Sequence, residues 1–425
     1  MKRFIKIFII TAVVLIAVIY FKLISDNGSY ETCNIHNIDD IHNIDYNKHD
    51  RLTTSAGTLY EGDVLKNILQ GKNYRDAWTA KIDVPILFLD TLHGGVNIVK
   101  EGGGKQTQSL RLKSSDDLYL TLRSVNKNPD ELIPEYAKTL GLETVVIDGI
   151  SAQHPYASVV VAKLSDVINL LHTHPKLVFL PKQAALKSYN SEYGNRLYHL
   201  EFENKGTYNW TTLESVIEII DTEDLQKLKI THRSKLEIDK KMLIRARLFD
   251  LIIGDWDRHA KQWGWIVTEK DSTFLAHPLP MDRDNAFFKV EGIIPSLISD
   301  ESITPKLQSF DERIDYLEGL VYDFDLYFLQ NVSQADFTSE AKFIQEQLTD
   351  QNIEQALRLW NTELYNLYAD EIKTKLKARR DNLIPIAAKF HSIIKAKPLL
   401  NKTLKGSEPN IVNRQLLKCF DCIEK

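Results

Sequence analysis

The chain has 425 residues, 43% of them hydrophobic and 26% charged, with a formal net charge of −5. Such a composition excludes a wholly disordered polymer, and the length suffices for two core-forming lobes plus extensions. Lys and Arg show none of the clustered excess that a chain-wide nucleic-acid footprint requires, so no nucleic-acid partner is expected.

At the amino terminus, MKRFIK sets three basic residues ahead of an apolar run from Ile7 to Phe21, which Leu23 and Ile24 extend past a snorkelling Lys22. A helix from Ile7 to Ile24 would rise about 27 Å, close to the roughly 30 Å hydrocarbon core. Residues 1–24 are therefore expected to be an uncleaved signal anchor, a single-pass transmembrane helix. Its basic flank stays cytoplasmic and sends the rest of the chain to an extracytoplasmic, periplasmic position. Residues 25–77 read as a polar spacer and extension. Its echoed IHNID places His36, His42 and His49 among Asp39, Asp40, Asp45 and Asp50, a set better explained by hydration than by a metal.

Residues 78–205 predict an α+β lobe. VPILFLD, NIVK, SLRLK and LYLTLRSV have strand character and GGGK and SSDD turns, and KLVFLP and RLYHLEFE add strands, giving a five-stranded sheet with helices on one face. Helices are expected over Asn128 to Leu140 and around ISAQHPYASVVVAKLSDVINLL, with the HTHP at His172 to Pro175 as a helix end bearing two solvated imidazoles. In KEGGGKQTQS, Gly102, Gly103 and Gly104 let a backbone approach a ligand, and Lys105, Thr107 and Ser109 add phosphate donors. On the glycines alone a flexible hairpin turn is the better explanation, and no Walker pattern follows. Arg111 and Arg123 are further cations on the neighbouring strands.

Residues 206–396 predict an α-rich second lobe. ESVIEIIDTEDLQKLK and IDKKMLIRARLFDLIIG carry apolar residues at helical spacing, with Asp239 as N-cap and Gly254 as stop for the second. A loop with Asp257 follows. STFLAHPLPMDRDNAFF then gives a strand, a turn and a second acidic loop with Asp282 and Asp284. Leu317 to Ile394 is nearly all helical, and the basic LKARRDNL there reads as a solvated helix face. Residues 397–425 form a tail. Three cysteines, Cys33, Cys419 and Cys422, are too few for a disulfide framework, and the terminal CFDC reads as plain surface tail in preference to a redox or metal pair.

Two carboxylates on separate loops at the floor of an interlobe cleft suit phosphoryl transfer, one orienting an acceptor hydroxyl and the other holding a metal against nucleotide phosphates. Glycosidase-like hydrolysis would leave the GGGK loop and the divided architecture unexplained.

GDWDRHAKQW resembles the catalytic loop of atypical protein kinases of the HipA, CotH, phosphoinositide-kinase and secretory-pathway Golgi-kinase groups. MDRDNAF is similar to their metal-binding loop. The stretch from about Trp78 to Ile394 resembles a bacterial kinase-like family carrying GGGxQTxSLRL, RSVxK, GDWDRHxxQW and DRDxAF, which here read GGGKQTQSLRL, RSVNK, GDWDRHAKQW and DRDNAF. The resemblance implies a bilobal kinase-like fold using ATP with Mg²⁺ or Mn²⁺. By it, Asp257 is the catalytic carboxylate and Asp282 a metal ligand, with Asp284 as second or alternative. Gln262 takes the second metal position, where several of these groups have Asn. Gly102, Gly103, Gly104, Lys105 and Thr107 cover the phosphates, and Arg123 replaces the usual strand lysine. The carboxylate that should pair with Arg123 is left among Glu135, Glu143 and Asp148, and Gln153 and His154 are placed near the cleft.

From the residues alone, Arg258 and His259 brace the loop, with Arg258 bridging to Asp255 or Asp284, and Trp256, Trp263 and Trp265 pack beneath it. The reading is a membrane-anchored phosphotransferase moving the γ-phosphate of ATP to an acceptor of unknown class: protein, glycan or small molecule. A nucleotide-binding module without turnover and an AMP-transferring enzyme on the same fold are the alternatives.

Overall fold

Alternation of leucines with polar residues builds the central sheet. Leu110 pairs with Leu122 and Leu112 with Leu120 across neighbouring strands, and all four are buried on one face. Successive side chains of a strand point to opposite faces, so Ser109, Arg111, Thr121 and Arg123 occupy the other.

The computed structural model describes residues 2–23, 33–36, 44–102, 107–127, 133–407 and 414–423. Among these, strands run in chain order as β1 (Asn34–Ile35), β2 (Arg51–Ser55), β3 (Ile82–Pro85), β4 (Val96–Gly102), β5 (Thr107–Ser114), β6 (Tyr119–Lys127), β7 (Lys176–Leu180), β8 (Arg196–Phe202), β9 (Val216–Asp221), β10 (Leu236–Ile238), β11 (Trp263–Lys270) and β12 (Thr273–Pro280). The first lobe is a five-stranded sheet in the order β4-β5-β6-β8-β7, every neighbour antiparallel. The helix Ala157–Val167 lies between β6 and β7 in the chain. VPILFLD departs from expectation: only its start joins β3, which belongs to a small separate sheet with β1 and β2.

In the second lobe, ESVIEIID is strand β9 rather than helix, and the helix begins only at Thr222. Alternating Val216, Glu218 and Ile220 pair β9 with β11, and β12 and β10 complete a four-stranded sheet. The helices Asp323–Leu329, Gln334–Gln347, Asp350–Leu357, Thr362–Asp381 and Leu383–Ala396 follow as expected. LKARRDNL is not a purely solvated face, because Arg379 is buried and donates to the carbonyls of Asp311 and Leu251 at 2.6 and 2.7 Å. Of the two HTHP imidazoles only that of His174 is exposed. His172 is buried against Asp166 at 2.8 Å, and His174 meets the rings of Phe202 and Trp210.

The terminal segment also packs. Leu404, Leu416, Cys419 and Phe420 are buried, and Cys419 and Cys422 form a disulfide. Of the expected helix from Asn128 to Leu140, Glu135–Thr139 is helical, while residues 128–132 lie outside the described residues, as do His42, Asp39 and Asp40.

The transmembrane and localisation expectations are corrected. Lys2–Leu23 is a helix, but among the described residues no helix is long and apolar enough to cross a membrane. Lys2, Arg3, Lys6 and Lys22 all fall within the helix. The run between them, Ile7 to Phe21, rises only about 22 Å against a core of roughly 30 Å. The single-pass anchor, and the extracytoplasmic placement that depended on it, are therefore set aside. Tyr20 of this helix donates instead to the Leu140 carbonyl at 2.9 Å.

Candidate active site

The helix Lys240–Ile253 fixes the first acidic loop. Asp239 caps it, accepting from the Met242 amide at 2.9 Å, and Gly254 ends it in the left-handed region at φ 70°. A side chain at Gly254 would meet Phe310 at 2.8 Å, so the stop is enforced sterically as well as by backbone preference. Arg379 satisfies the orphan carbonyl of Leu251 in the last turn. The loop from Asp255 to Gln262 thus leaves a fixed point.

Arg258 staples this loop to the second one. Wholly buried, it reaches Asp250 at 3.1 Å and Asp255 at 3.5 Å, and donates to the carbonyls of Met281 and Gln262 at 2.7 and 3.2 Å. The Met281 amide donates in turn to the Gln262 carbonyl at 2.9 Å. Asp250, also fully buried, takes Arg247 at 2.9 Å and the Arg283 Nε at 3.0 Å. Burial raises the Asp255 carboxyl to about 8 although Arg258 opposes it, and its Oδ1 accepts the Asp257 amide at 3.2 Å. Trp263 and Trp265 are fully buried against Phe324 and Phe328, centroids 4.7 and 5.0 Å apart, and serve as packing.

The Asp257 carboxylate is itself partly open, 29% exposed, with His259 Nε2 at 3.8 Å. Tyr322 donates to the Trp256 carbonyl, and the Lys306 ammonium sits 4.0 Å above the Tyr322 ring. This flank of Asp257 faces solvent and cations.

Asp282 and Asp284 meet β6. Asp282 has φ 52°, an uncommon conformation for a residue other than glycine, of the kind concentrated at functional loops. Its Oδ1 and the Oδ2 of Asp284 both contact the Arg123 Nη2, the latter at 2.9 Å, and Lys127 Nζ reaches Asp284 Oδ2 at 3.2 Å. Burial pushes the Asp284 carboxyl up, but Arg123 and Lys127 outweigh it and hold it well below the usual range. Thr107 pairs with Lys127 and Ser109 with Arg123 in the strand register, so the start of β5 lies beside the strand segment that carries both cations. Gly103, Gly104 and Lys105 lie outside the described residues.

Sequence reasoning missed Lys127 as a site residue, although four positions after Arg123 on one strand put the two on the same face. It also missed Glu201 and His199. Glu201 is buried on β8 opposite Thr121, accepts from Thr173 at 2.6 Å, and is raised to about 7 by burial, with Arg123 opposing. His199, opposite Arg123, accepts or donates at 3.1 Å with the Ser158 hydroxyl and is lowered to about 4, chiefly by burial. No sequence signal places β8 beside β6.

The three proposed partners of Arg123 are engaged otherwise or stand apart. Asp148 is buried with Arg75 at 2.5 Å and Lys66 at 3.0 Å, Glu135 pairs with Lys138 at 3.0 Å, and Glu143 makes no contact with Arg123. Gln153 and His154 do line a small cavity, of about 10 Å³, together with Ser124, Lys127, His199 and Asp284. The Gln153 amide donates to Asn285 at 2.8 Å, and His154 stacks on Trp360 at 4.3 Å.

Whether the donor set fits a divalent cation follows from the shared contact. Two carboxylate oxygens within reach of one guanidinium nitrogen are close enough to share one metal ion. Hard oxygen donors suit Mg²⁺ or Mn²⁺, and Mg²⁺ is commonly held by one or two carboxylates completed by phosphate oxygens. Asp282 and Asp284 fit that role. Gln262 meets this loop through its backbone carbonyl, which accepts from the Met281 amide next to Asp282.

No family model matches this sequence, and comparison with curated proteins gives no match. Among solved structures, the chain is similar to the Helicobacter pylori proinflammatory kinase CtkA at 14% identity, covering 71% of this chain and 97% of that one, with a TM-score of 0.35. It is also similar to HipA of Shewanella oneidensis MR-1, in a complex with HipB and operator DNA, at 11% identity over 70% of this chain and 67% of that one, with a TM-score of 0.32.

Proposed function

We propose that the chain is a kinase-like phosphotransferase that passes the γ-phosphate of ATP to an acceptor hydroxyl. The observation that carries this reading is the meeting of Asp282 and Asp284 with Arg123 and Lys127 of β6, on a loop stapled to that of Asp257. Phosphoryl transfer asks a protein mainly for positioning and for charge stabilisation. Arg123, with its planar fork, and Lys127, a point charge, would take the triphosphate oxygens. Asp282 and Asp284 would hold Mg²⁺ or Mn²⁺, which when bound offsets the phosphate charge. Asp257, partly exposed and held by Asp255, would orient the acceptor hydroxyl and accept its proton.

One observation favours a second reading, nucleotide binding without turnover: Arg123 and Lys127 already neutralise the carboxylates that a metal needs. Label transfer from γ- and α-labelled ATP with each metal separates the two. Transfer from the γ position, abolished by Asp257→Asn and by Asp282→Ala, is the expected result. Transfer from the α position would mean AMP transfer, and ATP binding without transfer would leave a binding module. If neither nucleotide nor metal moves the melting curve, the site assignment fails.

A further inference from the structure

The CFDC at the carboxyl end takes no part in the chemistry above, yet it is built into the fold. Cys419 is buried and Cys422 half-buried, and the two are bonded across a single turn. The turn presents Phe420, 1% exposed, to the helical lobe, where its ring meets Phe328 at 5.4 Å and Tyr327 at 6.4 Å. Lys229 caps the same ring at 4.7 Å, and Asp421 pairs with Lys240, the first residue of the catalytic-loop helix, at 2.6 Å. Phe328 in turn packs on Trp265, and its neighbour Phe324 stacks on Trp263, over which Arg258 lies at 4.8 Å. An unbroken set of ring contacts therefore joins the disulfide to the arginine that staples the two acidic loops. Earlier in the same tail, Gly406 lies against Lys261 of the first loop.

We propose that Cys419 and Cys422 are a reversible thiol-redox site, addressed by dithiol reductants, whose oxidised form fastens the C-terminal segment to the helical lobe and braces the Asp257 loop. The inequality of the two sulfurs sets the course of the exchange. A thiolate of the reductant attacks the more accessible Cys422 Sγ, forming a mixed disulfide and releasing Cys419 as a thiolate. The Asn331 amide, 3.6 Å from the Cys419 sulfur, is placed to donate to that leaving group. The second thiol of the reductant then attacks the mixed disulfide and releases Cys422. The two protons and two electrons of the dithiol end on the cysteines, and the reductant leaves as its own disulfide. Opening the turn removes the covalent constraint that presents Phe420, so its seat on Phe328 must be held by packing alone.

The test uses the full chain. The oxidised protein should take up no thiol label, since Cys33 is buried, and after native treatment with dithiothreitol it should take up two equivalents, located by peptide mass at Cys419 and Cys422. Reduction should lower the melting temperature by several degrees and raise hydrogen exchange severalfold over residues 324–330 and 258–265. The double variant C419S/C422S should show the reduced behaviour without reductant and no response to it, and Phe420→Ala should reproduce the exchange change with the disulfide intact. Free thiols before reduction, a disulfide that opens only on unfolding, or superimposable melting and exchange in the two states would each overturn the proposal. None of these outcomes bears on nucleotide transfer, which stands or falls on Asp257 and Asp282.

Discussion

Lys127 and Glu201 show how much a strand face can hide. Lys127 follows Arg123 by two strand repeats, so period-two reasoning places both over the acidic loop, and its functional weight was open to a reading of RSVNK. Replacing it with Met keeps the stem and removes the charge. Nucleotide affinity measured by calorimetry should then fall at least about tenfold, or roughly 1.4 kcal/mol, and unchanged affinity would exclude Lys127 from phosphate binding. Glu201 was not legible, because its meaning depends on β8 lying beside β6, a non-local pairing. Its folded pKa, raised from 4.5 to about 7 mainly by burial, means that the folded state binds the proton more tightly than the unfolded one. Its contribution to stability is full below 4.5, declines as pH rises through about 7, and is lost above that. Glu201→Gln, which still accepts from Thr173, should therefore gain on wild type between pH 5 and pH 8, by an amount on the order of 2–3 kcal/mol for a shift of this size. Urea denaturation at both pH values checks it, and a pH-independent difference would refute it.

Among the elements, those with local punctuation were readable. The helix Lys240–Ile253 has a capping Asp239, a 3.6-residue apolar pattern and a glycine stop, and each is where the sequence placed it. Gly254→Ala should destabilise by more than about 1 kcal/mol, because a left-handed residue gains a Cβ that meets Phe310, and Asp239→Ala should cost about 1 kcal/mol. A Gly254→Ala protein with an unchanged denaturation midpoint would contradict the stop. ESVIEIID was misread because its apolar residues satisfy both a short helix and an edge-type strand, and only pairing with β11 decides. WGWIVTEK went unassigned as a strand for a related reason: its tryptophans draw the eye to the acidic loop they follow, while β9 and β12, on either side of it, supply its hydrogen bonds. The amino-terminal helix was read correctly as helix, whereas its membrane role failed on the length of the run between charges.

At the scale of the molecule, the acidic loop of the second lobe is tied to the sheet of the first through one ion cluster, Arg123 and Lys127 on β6 against Asp282 and Asp284. Arg123, Lys127 and Asp284 are largely buried there while Asp282 is partly open, and breaking one partner of a buried pair strands the other at a cost of about 3–5 kcal/mol. Asp284→Asn should therefore lower the melting temperature of the unliganded protein, with Lys127 left without its carboxylate. A triphosphate supplies the missing anion. In wild type, ATP without metal must compete with Asp284 for both cations, whereas in Asp284→Asn that competition is gone. Metal-free ATP, with a chelator present, should accordingly raise the melting temperature of Asp284→Asn by more than it raises that of wild type. Adding Mg²⁺ should reverse the order, since wild type alone keeps both carboxylates for the ion. Equal shifts in the two proteins under both conditions would show that the triphosphate does not enter between β6 and the second acidic loop, and the interlobe site would have to be sought elsewhere.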